Sequence, residues 1–208
     1  MYTLFAVKGW GSVIAEAAFA FAEVPYRLEL VTLDTPGPAQ DRLQALNPLR
    51  QLPTVILPDG RVLTESAAII LHLADGAPAS AGLAPAAGAA ERPVFLRWLI
   101  FLVAAIYPTF TYGDQPQRYV DGQRAQKALR ASTLTLRQIL WLQVEAAAEA
   151  PYFLGTERSA IDIYIWAMTH WRPGAAWFAE NCPKLTAIAA ALDGMDQLAQ
   201  IRAQNWPG

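Results

Sequence analysis

The residues best placed to do chemistry lie in two short polar edges around an apolar strand, Gln51-Leu52-Pro53 and Glu65-Ser66. Pro53 leads into Thr54-Val55-Ile56-Leu57. A proline at a strand edge removes a ladder donor and adopts the cis form far more readily than other residues. A cis bond between Leu52 and Pro53 would turn the Leu52 backbone outward, where its N–H and C=O could pair with an extended peptide-like ligand. Pro58-Asp59-Gly60 is a turn signal between two strand-like runs. After it, Glu65 and Ser66 precede the apolar series Ala68, Ile69, Leu71 and Leu73. The first N–H groups of a helix lack partners and favour an anion. Ser66 is therefore suited to a carboxylate and Glu65 to an ammonium. Each feature also has a plain structural use, a helix cap and a strand start.

These residues need a scaffold, and the flanking periodicities supply one. Tyr2 to Val7 suits a buried strand. Ser12 to Ala22 suits a helix with Val13, Ala17, Ala20 and Phe21 on one face. Tyr26 to Leu33 suits a second strand and Ala39 to Leu46 a short helix stopped by Asn47-Pro48. Two strands flank the turn, and a helix follows from Glu65 to about Ala74. The order β-α-β-α-β-β-α predicts an α/β layer with a mixed sheet. Gly76 to Ala90 is rich in Ala, Gly and Pro and reads as a linker. Beyond it helices are expected at Arg92–Thr109, Gln123–Ala148, Ala160–His170, Gly174–Glu180, Lys184–Ala191 and Asp196–Gln204, a second, all-helical domain. The expected boundaries are 1–77, 78–90 and 91–208.

Composition narrows the function classes. The 208 residues are 54% hydrophobic and 16% charged, enough for a substantial core and unlike a disordered chain. A net charge of -2 advertises no broad basic face for nucleic acid. The start Met1-Tyr2-Thr3-Leu4-Phe5 lacks the basic region and cleavage site of a signal peptide. One cysteine, Cys182, has no internal disulfide partner, and a reducing cytoplasm is expected. Val94 to Phe110 is the most apolar run. It contains Arg97 and Pro108 and falls short of about twenty clean apolar residues, so it reads as a packed helix or subunit contact, with no membrane span. His72 and His170 have no metal-ligand partner at useful spacing, and no metal is expected.

Near the C-terminal half, Ser159 and Asp162 make a capping box ahead of an apolar helix. Arg158 stands where a hydrophobic staple residue would be expected. The run Asn47 to Ile70, with Pro53 and Glu65-Ser66, resembles the glutathione-binding half of the glutathione S-transferase superfamily. The Ser159–Asp162 box resembles the one that opens the central C-terminal helix of the same superfamily. The resemblance spans nearly the whole chain.

That resemblance implies a thioredoxin-like α/β N-terminal domain that binds glutathione and an all-α C-terminal domain that supplies the acceptor pocket. It implies glutathione contacts at Gln51, Leu52, Pro53, Glu65 and Ser66, with Gln51 near the glycyl carboxylate. It also puts the group that activates the sulfur in the loop Val7-Lys8-Gly9-Trp10-Gly11-Ser12. Gly11 falls where cysteine-type members carry cysteine, Ser12 on the adjacent serine position, and Tyr2 too early to be a catalytic tyrosine. Ser12 has its own physical case: a hydroxyl and a helix N-terminus both favour a thiolate. A serine there is equally suited to cap the helix. Trp10, Tyr107 and Tyr112 are the expected acceptor-site contacts. Other aromatics, such as Trp98, Phe101 and Phe110, are expected mainly in the core. The implied activity is attack of the glutathione thiolate on a small hydrophobic electrophile by a homodimer. A glutathione-dependent isomerase, a disulfide oxidoreductase and a non-catalytic binding relative use the same scaffold.

Overall fold

The computed structural model describes residues 1–32 and 36–207; the side chain of Ser80 lies outside that description. Strand β1 (Tyr2–Ala6) buries Leu4, Phe5 and Ala6 completely or nearly so. Successive side chains leave a strand on opposite faces, so a strand with consecutive buried residues must be covered on both. It is therefore central in the four-stranded sheet, whose order is β2-β1-β3-β4. β2 (Tyr26–Leu30) runs parallel to it with Leu4 opposite Leu28. β3 (Thr54–Ile56) runs antiparallel with Leu4 opposite Val55, and β4 (Val62–Leu63) pairs with β3. The strand expected over Tyr26–Leu33 ends at Leu30; Leu33 is outside the described residues.

Helices α1 (Ser12–Ala22), α2 (Pro38–Leu46) and α3 (Ser66–Gly76) complete the expected alternation. α1 is buried along almost its whole circumference and packs against α3. Phe19 of α1 meets Tyr2 edge-on at 5.3 Å and stacks on Tyr26 at 4.7 Å between ring centroids. Phe5 joins Val31 and Leu43 in a separate cluster, with Leu46, Leu52 and Ile56 packed around it. The turn at Pro58-Asp59-Gly60 closes by Leu57 N–H donating to Arg61 O and Gly60 N–H to Leu57 O.

The later part is helical, as expected. A continuous helical stretch from Arg92 to Asp114 comprises α4 (Arg92–Phe101), a π-helical turn (Leu102–Ile106) and α5 (Tyr107–Asp114). The sequence suggested a shorter apolar run; at 23 residues this stretch is by length and composition able to cross a bilayer. Its residues Phe95, Trp98, Leu99, Leu102, Ile106 and Phe110 are buried within the protein, an inward stripe at helical spacing. Pro108 has no N–H to give the preceding turn, and the widened turn just before it accommodates that loss. Then follow α6 (Gln123–Ala147), α7 (Ala160–Thr169), α8 (Ala175–Asn181), α9 (Pro183–Asp193) and α10 (Asp196–Asn205). Gly113 has no side chain because a Cβ there would lie 2.6 Å from Thr133 Oγ1. α5 and α6 thus approach closely, and Arg137 of α6 donates from Nε to Thr109 Oγ1 and from Nη2 to Thr109 O.

The chain divides into two units, 1–86 with 191–208, and 87–190. The boundary differs from the sequence expectation at both ends. The presumed linker carries a short 3-10 turn (Ala79–Ala81) with Ala81 and Leu83 buried. α10 packs on α1, so the last helix joins the α/β unit instead of the helical one.

The capping box at α7 is complete. Asp162 accepts from the N–H groups of Phe153 and Ser159, both at 2.7 Å, and Ser159 Oγ accepts from Ile161 N–H at 3.3 Å. Burial pushes the Asp162 carboxyl up to about 6, against the pull of those hydrogen bonds and of Arg158. Asp162→Ala would strand two buried N–H groups, each worth about 1–3 kcal/mol when unsatisfied. The expected outcome is a loss of about 3 kcal/mol in urea unfolding; a loss below about 1 kcal/mol would mean that the box does not hold this turn.

Candidate functional site

The loop that enters β3 is shaped by one asparagine. Asn47 ends α2 and is buried; its Nδ2 donates to Gln51 O at 3.2 Å and to Thr54 Oγ1 at 3.0 Å. Its Oδ1 accepts from Leu49 N–H, and Thr54 Oγ1 donates to Gln51 O at 2.8 Å. This network folds the loop back on itself and leads into the Leu52–Pro53 peptide, which is cis. Among the described residues, no hydrogen bond engages the N–H or C=O of Leu52. The Gln51 side chain is exposed, and Pro53 is buried. Sequence reading treated Asn47 only as a helix stop; its role in the loop depends on where Thr54 comes to lie.

Glu65 immediately precedes α3 with φ 63° and ψ 110°, a conformation that side-chain-bearing residues seldom adopt. Such a backbone costs on the order of 1–3 kcal/mol and persists where the surroundings impose it. Its carbonyl accepts from Ile69 N–H at 3.0 Å, which starts the helix, while the side chain is exposed. Ser66 is the first residue of α3 and is 9% exposed. The entry to β3 thus presents the unengaged Leu52 main chain, and a carboxylate beside a helix N-terminus stands in the same unit.

Ser12 sits differently from either sequence expectation. Gly11 is the N-cap of α1, and Ser12 is the first helical residue, fully buried. Its hydroxyl donates to Val7 O at 3.0 Å and accepts from Val7 N–H at 3.2 Å. A hydroxyl has one proton, and here Val7 holds it. The expected hydrogen bond from Ser12 Oγ to a ligand sulfur would require that bond to break. What the loop does offer is main chain: the N–H groups of Gly11 and Ser12 enter no hydrogen bond among the described residues. Trp10 is 48% exposed at the tip of the same loop.

Below the loop lies a carboxyl that the sequence did not flag. Glu16 of α1 is 2% exposed, and Asn205 Nδ2 donates to its Oε1 at 3.3 Å. A cavity of about 170 Å³ is bounded by Lys8, Glu16, Leu28, Leu30, Gln204 and Asn205. Burial pushes the Glu16 carboxyl up to about 7, while Asn205 and the Lys8 charge pull it down. A glutamate inside an alanine-rich helix looks solvent-facing in sequence; only its neighbours bury it.

The remaining candidates fall in the helical unit or on the surface. Tyr107 is partly buried, packed edge-on to Phe110 and Trp171, and burial raises its phenol pKa. Tyr112 is 44% exposed and packs against Tyr119. Trp98 and Phe110 are buried, as expected of core aromatics. His72 is exposed and hydrogen-bonded to Tyr2 at 3.1 Å. Cys182 is buried, and its thiol is pushed up to about 12 by burial and by Glu145, so it presents no thiolate.

Comparisons with known proteins bear on this arrangement. The family profile for the N-terminal domain of glutathione S-transferases matches residues 14–75. A GST-like protein of Escherichia coli K12, YncG, is 37% identical over 208 residues, spanning 99% of this chain and 98% of that one. Among solved structures, a glutathione transferase homologue from Sulfitobacter with bound glutathione superposes with a TM-score of 0.87, at 24% identity over 97% of both chains. At that identity the likeness speaks for the fold. A sphingomonad glutathione S-transferase complexed with glutathione gives a TM-score of 0.77 at 25% identity, covering 99% of this chain and 100% of that one.

The buried carboxyl generates a test. With a folded value of about 7 against 4.5 for the free group, the folded state keeps a proton that the unfolded chain has lost. That contribution to stability is complete below about 4.5 and is lost as pH rises through about 7. Glu16→Gln keeps the acceptor for Asn205 without the charge. In urea titrations the variant should match the wild type at low pH and exceed it by on the order of 2 kcal/mol at pH 8. Parallel pH profiles for the two proteins would show that Glu16 does not titrate in this range.

Proposed function

Because the chain belongs to the glutathione S-transferase superfamily, we propose that its α/β unit binds reduced glutathione and that the protein transfers the thiolate to a small hydrophobic electrophile. The carrying observation is the unengaged Leu52 main chain beside cis Pro53, with Glu65-Ser66 at the start of α3. In this reading the cysteinyl backbone of glutathione pairs with Leu52 as a short added strand. The γ-glutamyl carboxylate meets the first turn of α3 at Ser66, and Glu65 answers the ammonium. Gln51 reaches the glycyl carboxylate as an uncharged donor.

The reaction is GS⁻ + R–X → GS–R + X⁻: the sulfur lone pair forms the carbon–sulfur bond as the bond to X breaks. A free thiol near pKa 8.5 is only a few per cent ionised at pH 7, and lowering it by about two units makes the thiolate the major form. The first turn of α1 is the source of that stabilisation here. Its N–H groups and helix dipole act on the sulfur, and Ser12 holds the loop that presents them. Trp10, exposed at the tip of that loop, is the proposed contact of the electrophile in this unit.

The same reading puts the protein in a reducing compartment, where reduced glutathione is abundant, and pairs it with a second copy. Exposed Val94 and Ile100 of α4 and Leu136, Ile139 and Leu142 of α6 offer apolar surface for that contact. The engaged Ser12 hydroxyl and buried Cys182 also favour a second reading, a glutathione binder without turnover.

Calorimetry should register glutathione binding to the wild type, weakened about five- to tenfold by Ser66→Ala, the loss of about one hydrogen bond; an identical dissociation constant would remove Ser66 from the site. Following thiol consumption against a panel of electrophiles separates conjugation from binding alone. Titration of the bound thiol by its thiolate absorbance should differ by less than about half a unit between Ser12→Ala and wild type, since that proton belongs to Val7. A rise of a full unit or more would return the activating role to the hydroxyl.

A further inference from the structure

The loop that carries Gly9, Trp10 and Gly11 is tied to its own ends, with Trp10 N–H donating to Val7 O at 3.2 Å and Val13 N–H to Trp10 O at 3.0 Å, and it is also held from the other end of the chain. Gly9 N–H donates to Asn205 Oδ1 at 2.8 Å. Asn205 Nδ2 donates to Glu16 Oε1 and, at 3.0 Å, to Ile201 O. The amide is 6% exposed and sits on the last residue of α10. Gly9 has φ +73°, and a Cβ on it would lie 3.4 Å from Asn205 O and 3.7 Å from Trp206 Nε1. Those are ordinary contact distances, so the loop backbone and the end of α10 pack together, and the positive φ is what favours glycine there. A single carboxamide joins the loop before α1 to the second turn of α1 itself.

We propose that Asn205 is a positioning residue for the glutathione-activating loop, clamping Gly9 to Glu16 so that the first N–H groups of α1 stay aimed at the sulfur. The inference rests on the proposed glutathione site. Asparagine suits the task because one side chain must accept from a backbone N–H and donate to a carboxylate at once. Alanine does neither. Aspartate still accepts from Gly9, but toward Glu16 it has a proton to give only when one is shared by the two carboxyls. Two adjacent carboxylates resist full ionisation, so that pair holds together at low pH and separates at high pH. Lys8 from the loop and Tyr26 from β2 are the other titratable groups whose electrostatics are coupled to Glu16.

The experiment uses the full chain with Asn205→Ala and Asn205→Asp, each compared with wild type at pH 5.5 and pH 8. Amide hydrogen exchange of residues 8–12 is measured without ligand, and glutathione affinity and the pKa of the bound thiol are measured with it. For Asn205→Ala, exchange in the loop should quicken at least tenfold, glutathione affinity should fall about five- to tenfold, and the bound thiol should titrate higher. Asn205→Asp should behave like wild type at pH 5.5 and like Asn205→Ala at pH 8. A folded Asn205→Ala that exchanges, binds and titrates like wild type overturns the proposal. So does an Asn205→Asp whose difference from wild type is the same at both pH values; this comparison stands alone if Asn205→Ala does not fold. Should wild type bind no glutathione, the functional reading fails, while loop exchange still decides whether Asn205 holds Gly9.

Discussion

Where a strand starts late, a few backbone groups just before it are left unpaired, and everything near them must be arranged so that they stay so. Here those groups are the N–H and C=O of Leu52. β3 begins only at Thr54, after the buried Pro53, so the ladder with β1 starts beyond them. Their exposure depends on the preceding loop being held shut, and Asn47 and Thr54 do this by sharing Gln51 O. The loop's polar needs are met internally, with the Leu52 main chain left unengaged among the described residues. The Glu65 backbone is a second expression of the same demand. A costly φ is tolerated where the carbonyl must start α3 while the side chain stays outside.

Three buried ionisable groups show how the fold manages polarity away from that loop. Asp162 is surrounded by donors and ties a loop to the start of α7. Arg137 has no carboxylate at hydrogen-bond distance among the described residues and is held by carbonyl and hydroxyl oxygens, with its guanidinium 3.5 Å from the Phe110 ring centroid. Among the described residues Glu16 has one donor, Asn205, and a cavity beside it. The first two are structural by the completeness of their bonding. The third is the least satisfied, and it lies beneath the loop on which thiol chemistry would depend. Burial without full hydrogen bonding is what raises its pKa to about 7.

The first eighty residues were largely legible because their signals are local. α1 spans the expected Ser12–Ala22, and Pro58-Asp59-Gly60 makes the expected turn. Ser159 and Asp162, three residues apart, form the expected box. In each case the interaction partners are near in sequence, so residue type and spacing carry the information. Ser12 was legible only in part, for a related reason. Its spacing is right for a cap or a donor to ligand, but its hydroxyl reaches back to Val7, and no pattern of residue types distinguishes that bond.

By itself, the sequence determined the alternation of strands and helices, the cis-prone Leu52–Pro53 bond, the polar start of α3 and the superfamily. Tertiary structure alone decided that α10 returns to the α/β unit, that Glu16 is buried and that Asn205 meets Gly9. Those contacts join residues nearly two hundred positions apart. Hydrophobic periodicity says that a helix has a face to bury, but not which surface will bury it, because apolar burial is not directional.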